Sequence, residues 1–128
     1  MNAADLLAAQ RVVPVVVIDN VDDAVPLAKS LLASGLDAIE VTLRTDAGLE
    51  AIERIATEVP GMLVGAGSVR RAAQVAAVKS AGAVFAVSPG SSDALLDAVA
   101  ETELPFVPGA VTASEMLKLL DLGYTLQK

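Results

Sequence analysis

A chain of 128 residues is long enough for one domain with a real core. Hydrophobic residues make up 54% of it but aromatics only 2%, so that core must be aliphatic, as in parallel strands buried beneath Ala-rich helices. The net charge of −7 argues against nucleic acid, which needs a basic stripe; the absence of Cys excludes disulfides, thiol catalysis and thiolate metal sites, and the absence of His removes the usual general base and the commonest metal ligand.

Along the chain, short aliphatic runs alternate with amphipathic stretches. After a short N-terminal helix, Val12 to Ile18 reads as a strand. Asp19 or Asn20 can cap a helix from about Val21 to Ser34, with Asp22 and Asp23 well placed in its first turn. Ala38 to Leu43 is the second strand, and Leu49, Ile52, Ile55 and Ala56 mark the buried face of the next helix. Met62 to Gly65 is a third strand, Ala72 to Ser80 a helix, Val84 to Val87 a fourth strand, and Ser91 to Glu101 a helix. Phe106 and Val107 form a short fifth strand. Thr112-Ala113-Ser114-Glu115 then has capping-box spacing and opens a helix through Leu120. Tyr124 to Lys128 is expected to begin strand six. Gly35, Gly82 and Gly123 each stand between a helix and a strand, where a left-handed residue is wanted.

Strict βα alternation, with no linker or low-complexity segment, indicates a parallel α/β fold occupying residues 1–128 as a single domain. Val17-Ile18-Asp19-Asn20 carries no glycine-rich dinucleotide fingerprint after the first strand. Polar residues recur instead at the C-terminal ends of strands, where a (β/α)8 TIM-type barrel keeps its chemistry. Such barrels take roughly 200–250 residues, so this chain is expected to hold about five and a half βα units, the N-terminal portion of one. No apolar run approaches the roughly 20 residues of a membrane span, and Met1 to Ala9 carries Asp5 and no basic residue, unlike a signal peptide. The expected location is cytoplasmic, with no membrane and no nucleic acid partner.

Glu40 interrupts an apolar strand. Alternation places Ile39, Val41 and Leu43 on one face, and Glu40, Thr42 and Arg44 on the other, toward a barrel interior. A carboxylate there is costly to bury unpaired, and Arg44 is a possible partner, so Glu40 reads equally as a proton-transfer group or as half of an internal ion pair. Of four lysines, Lys29, Lys79 and Lys118 lie on helices, while Lys128 follows Tyr124-Thr125-Leu126-Gln127 on the expected sixth strand. A lysine nucleophile must be neutral to attack a carbonyl, which a desolvated barrel interior favours. A solvated residue at the chain end is the competing reading. Gly65-Ala66-Gly67-Ser68, Ser88-Pro89-Gly90-Ser91 and Val107-Pro108-Gly109-Ala110 supply loops where backbone can approach a ligand, although βα turn geometry accounts for glycine and proline equally well.

Taken together, Arg11-Val12-Val13-Pro14-Val15, Glu40-Val41-Thr42-Leu43-Arg44-Thr45, Gly65-Ala66-Gly67-Ser68-Val69, Ser88-Pro89-Gly90, Val107-Pro108-Gly109 and Leu122-Gly123-Tyr124-Thr125-Leu126-Gln127-Lys128 stand in the order and spacing of one family. The chain resembles the 2-keto-3-deoxy-6-phosphogluconate (KDPG) aldolases, also called 4-hydroxy-2-oxoglutarate aldolases, over essentially its whole length. The resemblance implies a class I aldolase, a homotrimer of barrels when full length, working without metal or cofactor on a small keto-acid substrate. It would split a phosphorylated keto-deoxy sugar acid into pyruvate and glyceraldehyde 3-phosphate, and 4-hydroxy-2-oxoglutarate into pyruvate and glyoxylate. By motif position, Lys128 would form the Schiff base and Glu40 would be the acid/base. Arg44 would bind the substrate carboxylate, Ser68 would stand at the pyruvate end where threonine is common, and Pro89 would line the pocket. A 6-phosphogalactonate-type homologue tends to carry Thr-Pro-Asn where this chain has Ser88-Pro89-Gly90, which disfavours it. Two further βα units and the glycine-rich phosphate-binding loops of the family have no counterpart here, so the 128 residues alone are expected to be a half-barrel without useful aldolase activity.

Overall fold

A computed structural model describes all residues, Met1–Lys128. Five parallel strands lie side by side in the order of the sequence: β1 (Val15–Val16), β2 (Ala38–Thr42), β3 (Leu63–Gly67), β4 (Phe85–Val87) and β5 (Phe106–Val107). Helices α2 (Ala24–Ala33), α3 (Gly48–Glu58), α4 (Ala72–Ser80) and α5 (Asp93–Thr102) form the crossovers, with α1 (Ala3–Leu7) before the sheet and α6 (Ala113–Asp121) after it. A doubly wound sheet reverses its strand order at a switch point. This one never does, and unbroken sequential order is the wall of a barrel.

Two apolar layers hold the wall. The larger lies between strands and helices and is almost wholly aliphatic, joining Ile39, Val41, Ile52, Ile55, Val64 and Val75. The smaller lies on the inner face, where Phe85, Val87 and Val107 meet Ala3 of α1, with Leu6 and Leu7 packed against them. The alternation expected for β2 is therefore realised: Ile39 and Val41 enter the outer layer, and Glu40 does not. Gly35, Gly82 and Gly123 have φ of +84°, +94° and +92°, the left-handed conformation that lets each helix turn back to the sheet.

Three expectations need correction. The first strand is two residues, not Val12 to Ile18, because Pro14 has no amide proton to give; its carbonyl instead accepts from the Glu40 amide at 2.8 Å. The helix expected from Val21 to Ser34 opens as a 3-10 turn, Val21–Asp23, capped by the Asn20 side chain, before α2 begins. Tyr124 to Lys128 does not form a strand. Only Lys128 in that segment joins the backbone ladder: its amide donates to Pro108 (3.0 Å) and its carbonyl accepts from Ala110 (2.9 Å). The rest is tied by local contacts. Tyr124 packs edge-on against Phe106 at 6.2 Å, and the Gln127 amide donates to the carbonyls of Tyr124 and Met116.

Candidate active site

Glu40 sits at the middle of β2, paired in register with Val15 on one side and Gly65 on the other. All five residues of β2 are buried, and the Glu40 side chain is only 6% exposed. A carboxylate so placed needs a partner, since an isolated charge in apolar surroundings is strongly disfavoured. The partner is Lys128, 88 residues away in sequence, whose Nζ lies 3.4 Å from both Oε1 and Oε2. Charge-assisted N–H···O bonds are usually ~2.7–2.9 Å, so this is a loose, symmetric approach. The Lys128 side chain is 52% exposed, which differs from the desolvated interior expected for it; the contact leaves the amine reachable from the cavity above.

The Glu40–Arg44 ion pair anticipated from spacing is absent. Glu40 pairs with Lys128, and Arg44 lies beyond the end of β2, where Nε donates to the Ser68 hydroxyl at 3.4 Å. Its terminal nitrogens carry no carboxylate partner from the chain, leaving the guanidinium fork available to a bidentate acid. Ser68 adopts φ +56°, a left-handed conformation that costs a non-glycine residue energy and clusters at ligand-binding sites. That turn follows β3 directly and carries the hydroxyl toward Arg44.

These side chains share one cavity of about 220 Å³, lined by Glu40, Arg44, Ser68, Val87, Ser88, Pro89 and Lys128. All five residues singled out from the sequence are among the seven. The cavity has room for a small acid. Val87 and Ser88 were not anticipated as lining residues. Ser88 is buried, and its Oγ accepts from the Gly109 amide at 3.3 Å. Ser91 Oγ donates to the Gly109 carbonyl, and a Cβ at Gly109 would collide with the Pro89 carbonyl group. The loops after β4 and β5 therefore lie directly against each other, and Pro89 is placed by that contact. A signal for Ser88 existed, since it sits one residue past the end of a buried strand, where barrel residues turn toward the mouth.

Chemically, the cavity joins a primary amine, a carboxylate touching it, and a guanidinium a short way along the same strand direction. An amine can add to a carbonyl, the carboxylate can take and return protons, and the guanidinium can anchor an acid. The remaining inward residue of β2, Thr42, has a buried hydroxyl with no hydrogen-bond partner.

A family model described as "KDPG and KHG aldolase" matches residues 4–128. The chain is 48% identical over 125 residues to a 2-dehydro-3-deoxy-phosphogluconate aldolase of Pseudoalteromonas atlantica, covering 98% of this chain and 58% of that protein. It is 46% identical to the KHG/KDPG aldolase of Escherichia coli, over 95% of this chain and 57% of the relative. Among solved structures, the KDPG aldolase of Legionella pneumophila, with pyruvate captured as a covalent carbinolamine intermediate, superposes with a TM-score of 0.91 at 41% identity, covering 97% of this chain and 60% of that one. The chain thus spans somewhat under two thirds of the length of the relatives it matches.

Proposed function

We propose, for a chain that belongs to the KDPG and KHG aldolase family, that the full-length protein is a class I lyase that splits 2-keto-3-deoxy-6-phosphogluconate into pyruvate and glyceraldehyde 3-phosphate. The E. coli relative's double name supports 4-hydroxy-2-oxoglutarate as a second substrate. The observation carrying this reading is the meeting of Lys128 Nζ with both oxygens of a buried Glu40, in a cavity that also holds Arg44.

On this reading, Arg44 fixes the substrate carboxylate, with Ser68 bracing the guanidinium at Nε. The carboxylate's neighbour, the keto carbon, is then presented to Lys128. The neutral amine adds to that carbon and gives a carbinolamine. Loss of the oxygen as water, with a proton supplied from Glu40, leaves a protonated imine. Glu40, now a carboxylate, takes the proton from the C4 hydroxyl of the substrate. The C3–C4 bond breaks, its electron pair flows to the imine nitrogen as an enamine, and the aldehyde departs. Returning the proton to C3 and adding water to the imine releases pyruvate and the free amine. Two catalytic residues suffice, and the acid/base already lies in contact with the nucleophile's nitrogen. Assembly as a homotrimer in the cytoplasm belongs to the same reading, and residues 1–128 alone are not expected to turn over.

The test is borohydride reduction of the full-length protein with pyruvate. One pyruvyl group should be fixed, at Lys128, and Lys128→Ala should abolish both labelling and cleavage. Lys128→Arg should not restore them, because a guanidinium stays protonated. Labelling at Lys29, Lys79 or Lys118 instead would refute the assignment.

A further inference from the structure

Glu40 and Gly67 belong to adjacent strands, and the space that the Glu40 carboxylate fills exists only because residue 67 has no side chain. Thr42 is the register partner of Gly67, so the inner face of β3 at this level presses against the Glu40 side chain. A Cβ built on Gly67 would lie 2.9 Å from both Cγ and Cδ of Glu40 and closer still to Oε1. Real Cβ atoms essentially never come within 3.0 Å of such neighbours. The backbone at Gly67 is not in the left-handed region, so nothing in its own conformation demands glycine. The three nearest atoms all belong to Glu40.

The neighbouring Gly65 makes a useful contrast. A Cβ there would strike the ring of Phe85, which is fully buried in the inner apolar layer and has nowhere to go. Gly65 is thus required by packing. Gly67 confronts the end of a flexible carboxylate that borders a cavity and can swing aside.

We infer that Gly67 is a positioning residue for catalysis: its missing side chain holds the Glu40 carboxylate within reach of Lys128 Nζ. A methyl group at 67 would turn the carboxylate out of the 3.4 Å contact that both oxygens make. The inference rests on the acid/base role proposed for Glu40. The step most exposed to misplacement is the removal of a methyl proton from the pyruvate imine. There the C–H proton passes to Glu40, and its electron pair forms the enamine. Imine formation also takes a proton from Glu40, but trapping after long incubation reads whether the imine forms, not how fast.

The experiment uses the full-length enzyme with pyruvate alone, as Gly67→Ala, Glu40→Gln and the double variant. Exchange of pyruvate methyl protons with D2O is followed by NMR, and imine formation by borohydride trapping at Lys128. Displacing a reacting group by ~1 Å can cost ~10²-fold in rate. Gly67→Ala should therefore lose roughly that factor in exchange while still trapping pyruvate. In the Glu40→Gln background, Gly67→Ala should cost little more, because the group it displaces no longer carries the proton. Near-normal exchange in Gly67→Ala overturns the inference, as does an equal loss in both backgrounds or a joint loss of trapping and exchange. If Glu40→Gln alone exchanges normally, the acid/base reading itself falls, a different failure. Should Gly67→Ala not fold, Gly67→Ala/Glu40→Ala must fold if the conflict is with Glu40; an unfolded double variant overturns the inference.

Discussion

The two halves of the candidate site come from regions built on different principles. Glu40 lies on a strand hydrogen-bonded on both sides, every residue of it buried, beneath helix α3 whose Ala51, Ile52 and Ile55 are buried too. Lys128 lies on a segment outside the regular sheet, held by two backbone hydrogen bonds to the loop after β5. Helix α6, which leads to it, buries only Leu119, while Met116, Leu117 and Leu120 are exposed. One member of the pair is fixed by the core and the other by a few polar contacts. Close packing fixes the backbone at Glu40, while its carboxylate end borders the cavity beside Gly67.

The strongest way to break this contrast is at Glu40. Glu40→Gln keeps the shape of the side chain and removes its proton chemistry, a role worth typically ~10²–10⁴-fold in rate. Steady-state kinetics on the full-length enzyme should show a fall of that order in kcat, with modest change in pyruvate affinity. Near-normal turnover would leave Glu40 as a structural partner of Lys128 and remove the reason for its rigid placement.

Stability offers a second way. Ile55→Ala, beneath β2, should cost about 2–5 kcal/mol in urea unfolding, as buried Ile and Leu truncations do. Leu117→Ala on the exposed face of α6 should change stability by about 0.5 kcal/mol or less. Equal costs would show that α6 is as firmly built in as α3.

A third way lies at the start of α6, with a smaller effect than at Ile55. Thr112 caps that helix through the Glu115 amide, and Glu115 answers by accepting from the amides of Val111 and Thr112. Thr112→Ala should cost about 0.5–2 kcal/mol. The hydrogen bonds from Val111, then from Thr112, hold the Glu115 carboxyl below its ordinary value of 4.5. The folded state therefore releases this proton more readily than the unfolded state does. Its contribution is present above pH 4.5 and is lost as the pH falls through the lowered value. Unfolding curves across that window should lose their acid dependence from this cap in Glu115→Gln. An unchanged profile would mean that the cap does not steady the Lys128 side.

Sequence reasoning recovers these two regions unequally, for the same physical cause. The order of strands and helices follows from aliphatic runs separated by glycines in left-handed turns, both local signals. The capping box of α6 and the inward direction of Glu40 are equally local, and both appear in the structure. What spacing cannot show is which distant group meets a buried carboxylate. Arg44, four residues along, is the natural candidate, yet the end of β2 carries it past Glu40 to Ser68, and the partner comes from 88 residues away. The convergence of Glu40 and Lys128 was readable only through family resemblance. In the sixth segment only Lys128 pairs with a neighbouring backbone, its amide donating to Pro108 and its carbonyl accepting from Ala110.

The contact between Gly109 and the loop bearing Pro89 bears on how this pocket can be re-engineered. Loop grafting treats each strand-end segment of a barrel as a separate cartridge. These two cannot be exchanged one at a time, because any side chain introduced at 109 evicts the Pro89 backbone and takes that wall of the cavity with it. A library meant to reshape this cavity should therefore vary residue 109 together with residues 88–91. A library that varies residue 109 alone would meet the backbone of Ser88 and Pro89 at almost every substitution.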